Sequence, residues 1–193
     1  MLSYANLLRG ENAAAVAAAD RALANSQSVK TRFLAARTYV EAGDLAKART
    51  LAVSLTSEIQ KSPHVYAKLI IGEAALKEHD TGQAIELFNE AKDRSDTWLG
   101  RFDLGRAYLE AGAFTEADAE FERCIQRRGE VLELFMDDVP TYSYLPVVYY
   151  YQGRDREGLK SPDFEKFYRT YLSIRGQSTQ DPLVADIRQR LSH

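Results

Sequence analysis

The chain has 193 residues, 45% of them hydrophobic and 27% charged, which is enough apolar material for a buried core and too much for a disordered chain. Lys and Arg total 25 against 28 Asp and Glu, so a net charge of −3 offers no broad basic face for nucleic acid or an anionic membrane. Cys124 is alone, which excludes an internal disulfide; no run approaches the ~18 apolar residues of a bilayer span, and Arg9, Glu11 and Asp20 interrupt the N-terminal stretch, so the chain reads as soluble and cytoplasmic.

The predicted elements recur in chain order. Ser3 is followed by Gly10 at a turn and by Ala15, Ala19 and Ala22 on a second helix. Ala36, 33 residues on, follows Ala35 and precedes Tyr39, Gly43, Ala48, Ala52 and Leu55. Gly72, a further 36 on, follows Ile71 and precedes Ala84, Phe88 and Ala91. Gly105, another 33 on, follows Leu104 and precedes Tyr108, a turn at Gly112, and then Ala117, Phe121 and Cys124. A glycine inside a helix costs roughly 0.5–1 kcal/mol relative to alanine, and is tolerated where something must pass close to the backbone. Four units at 33, 36 and 33 residues, each with two apolar-periodic segments around a turn, predict helical hairpins that bury their faces on one another. The first unit lacks the opening turn of its first helix, so the chain is expected to be the C-terminal part of something longer.

After Gly129 the spacing changes. Pro140 is expected to open a helix, with Pro146 falling inside or near it and allowing a kink. Ser161-Pro162-Asp163 reads as an N-cap with a first-turn Pro and Asp, opening a helix with Phe164, Phe167, Tyr168, Tyr171 and Leu172 on one side. Asp181-Pro182 starts a last short helix with Leu183, Val184, Ile187 and Leu191 inward and Arg188, Gln189 and Arg190 outward, as in a solubilising cap. The expected organisation is repeats over 1–129, then an irregular hairpin and capping helix over 130–193, continuous with the array.

Leu104-Gly105-x2-Tyr108 with Ala117-x3-Phe121, and Ile71-Gly72 with Ala84-x3-Phe88, resemble the tetratricopeptide repeat, W-x2-L-G-x2-Y followed by A-x3-F. The resemblance implies an all-α fold: antiparallel helical hairpins stacked as a right-handed superhelix, an α–α solenoid, with a C-terminal capping helix. It implies a module that binds a protein or peptide, with no cofactor. The chain departs from the pattern where Arg32, Lys68 and Arg101 stand in the tryptophan place; Trp98, one turn before Arg101, is the candidate to fill that gap. The stretch from about residue 98 to 191 is similar to the C-terminal tails of bacterial multidomain signalling proteins, among them eukaryotic-like serine/threonine kinases and winged-helix regulators. The kinase elements G-x-G-x-x-G, H-R-D and D-F-G do not occur here, so that second resemblance implies a regulatory or substrate-recruiting tail.

In such an array the first helix of each pair lines the concave face. Residues three before, one after, and four and five after the repeating small residue then point into it. They are Phe33, Arg37, Val40 and Glu41; Leu69, Glu73, Leu76 and Lys77; and Phe102, Arg106, Leu109 and Glu110, with Tyr66 and Leu99 six before. The expected partner-binding set is Phe33, Arg37, Tyr66, Leu69, Glu73, Leu99, Phe102, Arg106 and Leu109. Its aromatics would bury area against an amphipathic or extended peptide while Arg37 and Arg106 hold a carboxylate. The competing reading makes Arg37, Glu73 and Arg106 solvated residues paired for ~0–1 kcal/mol, and packs Phe102 and Leu69 between units or under the cap. A second copy of the chain is a further occupant of the same surface, giving a homodimer. Chaperone-binding members of the resembled family clamp a terminal carboxylate with Lys and Asn; the matching places hold Phe33, Arg37, Ile70, Leu99 and Asp103, so that clamp is not expected.

Other chemistry-bearing residues have plain readings. His64, His79 and His193 are scattered without ligand spacing, so no metal site is expected. Cys124 is expected to pack inward as a small hydrophobe rather than act as a reactive thiol. Asp137-Asp138 reads as solvated loop carboxylates, with pairing to Arg127-Arg128 or a cation as alternatives. Tyr142, Tyr144, Tyr149, Tyr150 and Tyr151 read as helix packing, because base stacking without surrounding Lys or Arg lacks its electrostatic half. With no nucleophile–base arrangement or phosphate loop, this segment is expected to carry no active site.

Overall fold

The computed structural model describes residues 2–132, 144–178 and 180–192, and among them every regular element is helical. In order these are α1 (Leu2–Leu8), α2 (Asn12–Asn25), α3 (Val29–Ala42), α4 (Leu45–Thr56), α5 (Lys61–Lys77), α6 (Thr81–Arg94), α7 (Trp98–Glu110) and α8 (Phe114–Gln126). A 3-10 turn (Arg128–Leu132), α9 (Tyr144–Gly158), α10 (Phe164–Arg175) and α11 (Pro182–Arg190) follow. Within each of two units the helices pack on their neighbours in sequence, as in an α-solenoid. The contacts gather in two units, Met1–Asp96 and Thr97–His193. In the first, α3 packs on α5 and α1 on α3, so first helices meet first helices; in the second, α7 meets α9.

One turn geometry recurs five times. Gly10, Gly43, His79, Gly112 and Lys160 all have φ in the left-handed region, between 55° and 89°. The N–H of the residue after each donates to a carbonyl five residues back: Glu11 to Asn6, Asp44 to Tyr39, Asp80 to Ala75, Ala113 to Tyr108 and Ser161 to Arg156, all at 2.8–2.9 Å. This is the paired-bond ending of a helix whose last carbonyls are met by backbone amides rather than water. Each turn lies seven residues after Ser3, Ala36, Gly72, Gly105 and Gly153 respectively. The fifth hairpin, α9/α10, is therefore in the same frame, displaced 48 residues from the fourth. At His79 and Lys160 an L side chain occupies the position that glycine fills elsewhere, at a cost of ~1–2 kcal/mol.

The repeating small residue is where the two helices of a hairpin touch. A Cβ on Gly105 would come within 2.7 Å of the Phe121 ring, and one on Gly72 within 2.5 Å of Phe88. Gly153 stands in the same relation to Tyr168. Each ring is fully buried, so the bare backbone forms the floor of an aromatic seat. In the second hairpin Ala36 and Ala52 are small on both sides and both have no exposed surface.

Asp44 and Asp80 open α4 and α6 by accepting from the Lys47 and Gln83 N–H groups, and Thr97 and Ser28 do the same for α7 and α3. Ala113 holds the same backbone conformation before α8 with no side chain able to accept. Asp181 caps α11 with Pro182 in the first turn, and Val184 and Ile187 face inward as the sequence predicts. Pro146 falls inside α9, as the sequence predicts. Two expectations differ from the structure. α10 begins at Phe164 because the Ser161 hydroxyl donates to the Asp163 carboxylate instead of capping. Tyr108, expected to fill the interhelical space, is only half-buried, whereas Tyr39 is buried and donates to Asp20 at 2.5 Å. Pro140, Asp137, Asp138, Tyr142 and His193 lie outside the described residues.

Two substitutions test this architecture by chemical denaturation. Gly105→Ala is expected to cost about 1–2 kcal/mol, because overpacking against Phe121 exceeds the helix-propensity gain, while Gly129→Ala, which meets nothing within 4 Å, is neutral. Ala113→Asp is expected to gain roughly 0.5–1 kcal/mol by supplying the cap its equivalents Asp44 and Asp80 have.

Candidate partner-binding site

In the first unit, α3 supplies Phe33 and Arg37 and α5 supplies Tyr66, Leu69 and Glu73. The structure brings four of them together. The Phe33 and Tyr66 rings lie 5.0 Å apart, and Arg37 pairs with Glu73 at 3.3 Å with their side chains 4% and 2% exposed. Leu69 and Phe33 have no exposed surface, and burial raises the Tyr66 hydroxyl. An ion pair this deep gains strong attraction but loses the hydration of both charges, so its net contribution is small while the loss of either partner is severe. It fixes how α3 sits on α5.

In the second unit, α7 supplies Leu99, Phe102, Arg106 and Leu109. Leu99 and Phe102 are buried. Phe102 stacks on Trp98 and meets Tyr144 and Tyr151 of α9, with ring centroids 5.6–6.0 Å apart. Arg106 lies over both the Phe102 and Tyr151 rings and pairs with the fully buried Asp103 at 3.5 Å. The second-helix ring Phe121, on α8, stacks on Tyr151 as well. Thus the residues chosen from sequence as a surface are largely internal: of the nine, Tyr66, Arg106 and Leu109 retain partial exposure. Phe102 lies under α9, as the competing reading had it. Tyr144, Tyr149, Tyr150 and Tyr151 all pack within this unit.

The tryptophan-place cations act as latches within their hairpins. Arg32 pairs with Glu58, Lys68 with Glu90, and Arg101 with Glu120 at 2.6 Å, each joining a first helix to the chain of its second. Trp98 closes α7 on α8: its indole N–H donates to the Cys124 carbonyl at 2.8 Å, and the Cys124 thiol lies 3.6 Å from the Trp98 carbonyl. Burial pushes that thiol well up, away from the reactive thiolate.

Sequence reasoning missed a polar group between α8 and α9. Gln152 and Asp155 are fully buried, and Asp118 of α8 accepts from Gln152 and pairs with Arg156 at 2.7 Å. Burial first, then the Asp118 charge, pushes the Asp155 carboxyl up to about 7 against the pull of Arg156. Gln152 and Asp155 occupy the frame of Leu104 and Ala107, and of Ile71 and Ala74. That polar-for-apolar exchange is visible in the sequence once the 48-residue displacement is applied.

Among the described residues, no helix is long and apolar enough to cross a membrane, and no group of three or more His, Cys, Asp or Glu is placed to hold a metal ion. Compared with known proteins, the chain matches no family model and no curated sequence.

Glu73→Ala is expected to cost about 3–5 kcal/mol by stranding Arg37, whereas Arg37→Met with Glu73→Leu together stay within about 1 kcal/mol of the parent. Urea unfolding of the three proteins checks this.

Proposed function

We propose that this chain is an interaction module of the tetratricopeptide type that holds a protein or peptide partner. The observation that carries the reading is the fivefold recurrence of a small residue with a left-handed turn seven residues later, the second helix opening two residues after the turn in the first four hairpins and four after it in the fifth. A stack of such hairpins spends its aromatic and charged residues on internal contacts and leaves the outer parts of its first helices for a ligand. Each unit keeps surface at residues of the expected set: Tyr66 on α5 in the first, and Arg106 and Leu109 on α7 in the second. Tyrosine and arginine are residue types enriched among interface anchors.

Selection of peptides from a displayed library on the full chain, followed by fluorescence anisotropy, tests the reading. Tyr66→Ala is expected to weaken a peptide held by the first unit at least tenfold, and Leu109→Ala one held by the second, while Ile59→Ala, at a 98% exposed position, leaves affinity unchanged. Retention of full affinity by both variants, or failure to select any peptide, overturns it.

A further inference from the structure

Three buried acceptor atoms in the second unit have no hydrogen-bond partner: Gln152 Oε1 and both carboxylate oxygens of Asp155. Buried polar atoms are nearly always satisfied, so three together on one helix face, at i and i+3, require an explanation. The fourth such atom nearby, Arg156 Nε, is a donor, and its charge is met by Asp118 at 2.7 Å. One N–H of the Gln152 amide is given to Asp118. What the three acceptors lack is a donor.

We propose that the α8–α9 seam is a proton-dependent joint, in which a proton held on Asp155 supplies the missing donor and its loss loosens the packing of α9 on α8. Deprotonation leaves a second carboxylate beside Asp118, buried, with one guanidinium between them. Charges on the surrounding elements include Asp118 and Glu122 of α8, the latter 3.7 Å from Arg156; Arg154 of α9, held over Tyr150, and Glu157 of α9, paired with Arg190; Lys166 of α10, sharing the Phe167 ring with Arg156; the Asp103–Arg106 pair of α7; the Arg101–Glu120 pair between α7 and α8; and Arg127–Glu130 at the 3-10 turn. Asp118 and Arg156 are the ones whose field bears on Asp155.

The sign follows from linkage. A carboxyl raised on folding holds its proton where the unfolded chain has released it. The contribution of Asp155 to stability is therefore full in acid and is lost as pH rises from the ordinary Asp range of about 3.9 toward about 7. Because α9 places Tyr151 on Phe102, which stacks on the sole tryptophan, Trp98, loosening is read by Trp98 emission.

The experiment is thermal unfolding of the full chain between pH 5 and 8.5, followed by circular dichroism and Trp98 fluorescence, for the parent and for Asp155→Asn, whose amide mimics the protonated acid. The parent Tm is expected to fall across the window by at least about 5 °C more than that of Asp155→Asn, which is the more stable protein at pH 8. The histidines common to both cancel in the difference. Parallel profiles overturn the proposal. A carboxyl-carbon NMR titration of Asp155 in the parent decides independently of whether the variant folds: a midpoint near 7 that drops in Asp118→Asn supports the joint, and a midpoint below about 5 sinks it. Stabilisation at pH 8 by Mg2+ or Ca2+ equal to that given by acid also overturns it, because a cation then fills the place assigned to the proton.

Discussion

The structure depends on rings lying against bare backbone. Where Phe121, Phe88 and Tyr168 press on Gly105, Gly72 and Gly153, the two helices of a hairpin come closer than any side chain on those positions allows. A hairpin so joined has two layers of apolar surface and no means of covering either, which is why each must find another hairpin. The glycine's propensity cost is offset by the burial of a whole aromatic side chain. The left-handed turn seven residues later is the second half of the same constraint. It sets the direction in which the chain returns, so the ring arrives over the glycine and not beside it.

On this frame, polar residues do a different job from the one their positions suggest. A tryptophan at the opening of a first helix would hold the hairpin by area alone. Arg32, Lys68 and Arg101 hold it by charge, reaching Glu58, Glu90 and Glu120. Exposed pairs of that kind contribute little; the Arg101–Glu120 pair, with side chains 18% and 11% exposed, is the better shielded of the three. Arg37 with Glu73 goes further inward and acts as a key that admits one packing of α3 on α5, while Asp103 and Arg106 pair within α7 and Arg106 lies over the Tyr151 ring of α9.

The hairpins were legible because their signals are local: Gly105 with Tyr108, Ala117 and Phe121 can be read within one stretch. The all-helical fold, the small-residue seats and the Asp181-Pro182 start of α11 follow from such patterns. The turn at His79 was not legible, since the residue gives no sign of a positive φ; the surrounding hydrogen bonds impose it. Gly153 and Lys160 went unread because the 48-residue displacement hides their frame. Ser161 looked like a cap, but a carboxylate two residues on competes for its hydroxyl. The candidate site was the least legible part. Sequence spacing says which residues leave one side of a helix, and it cannot say whether another helix is waiting there. Beside Phe102 the space is taken by Tyr151 and Tyr144.

The chain's one thiol and one indole hold each other's backbones: Trp98 donates to the Cys124 carbonyl while the Cys124 sulfur faces the Trp98 carbonyl. Alkylating reagents cannot reach that sulfur until α7 and α8 part. The rate at which Cys124 is trapped is therefore a stopwatch on the opening of one hairpin, built into the protein without any label.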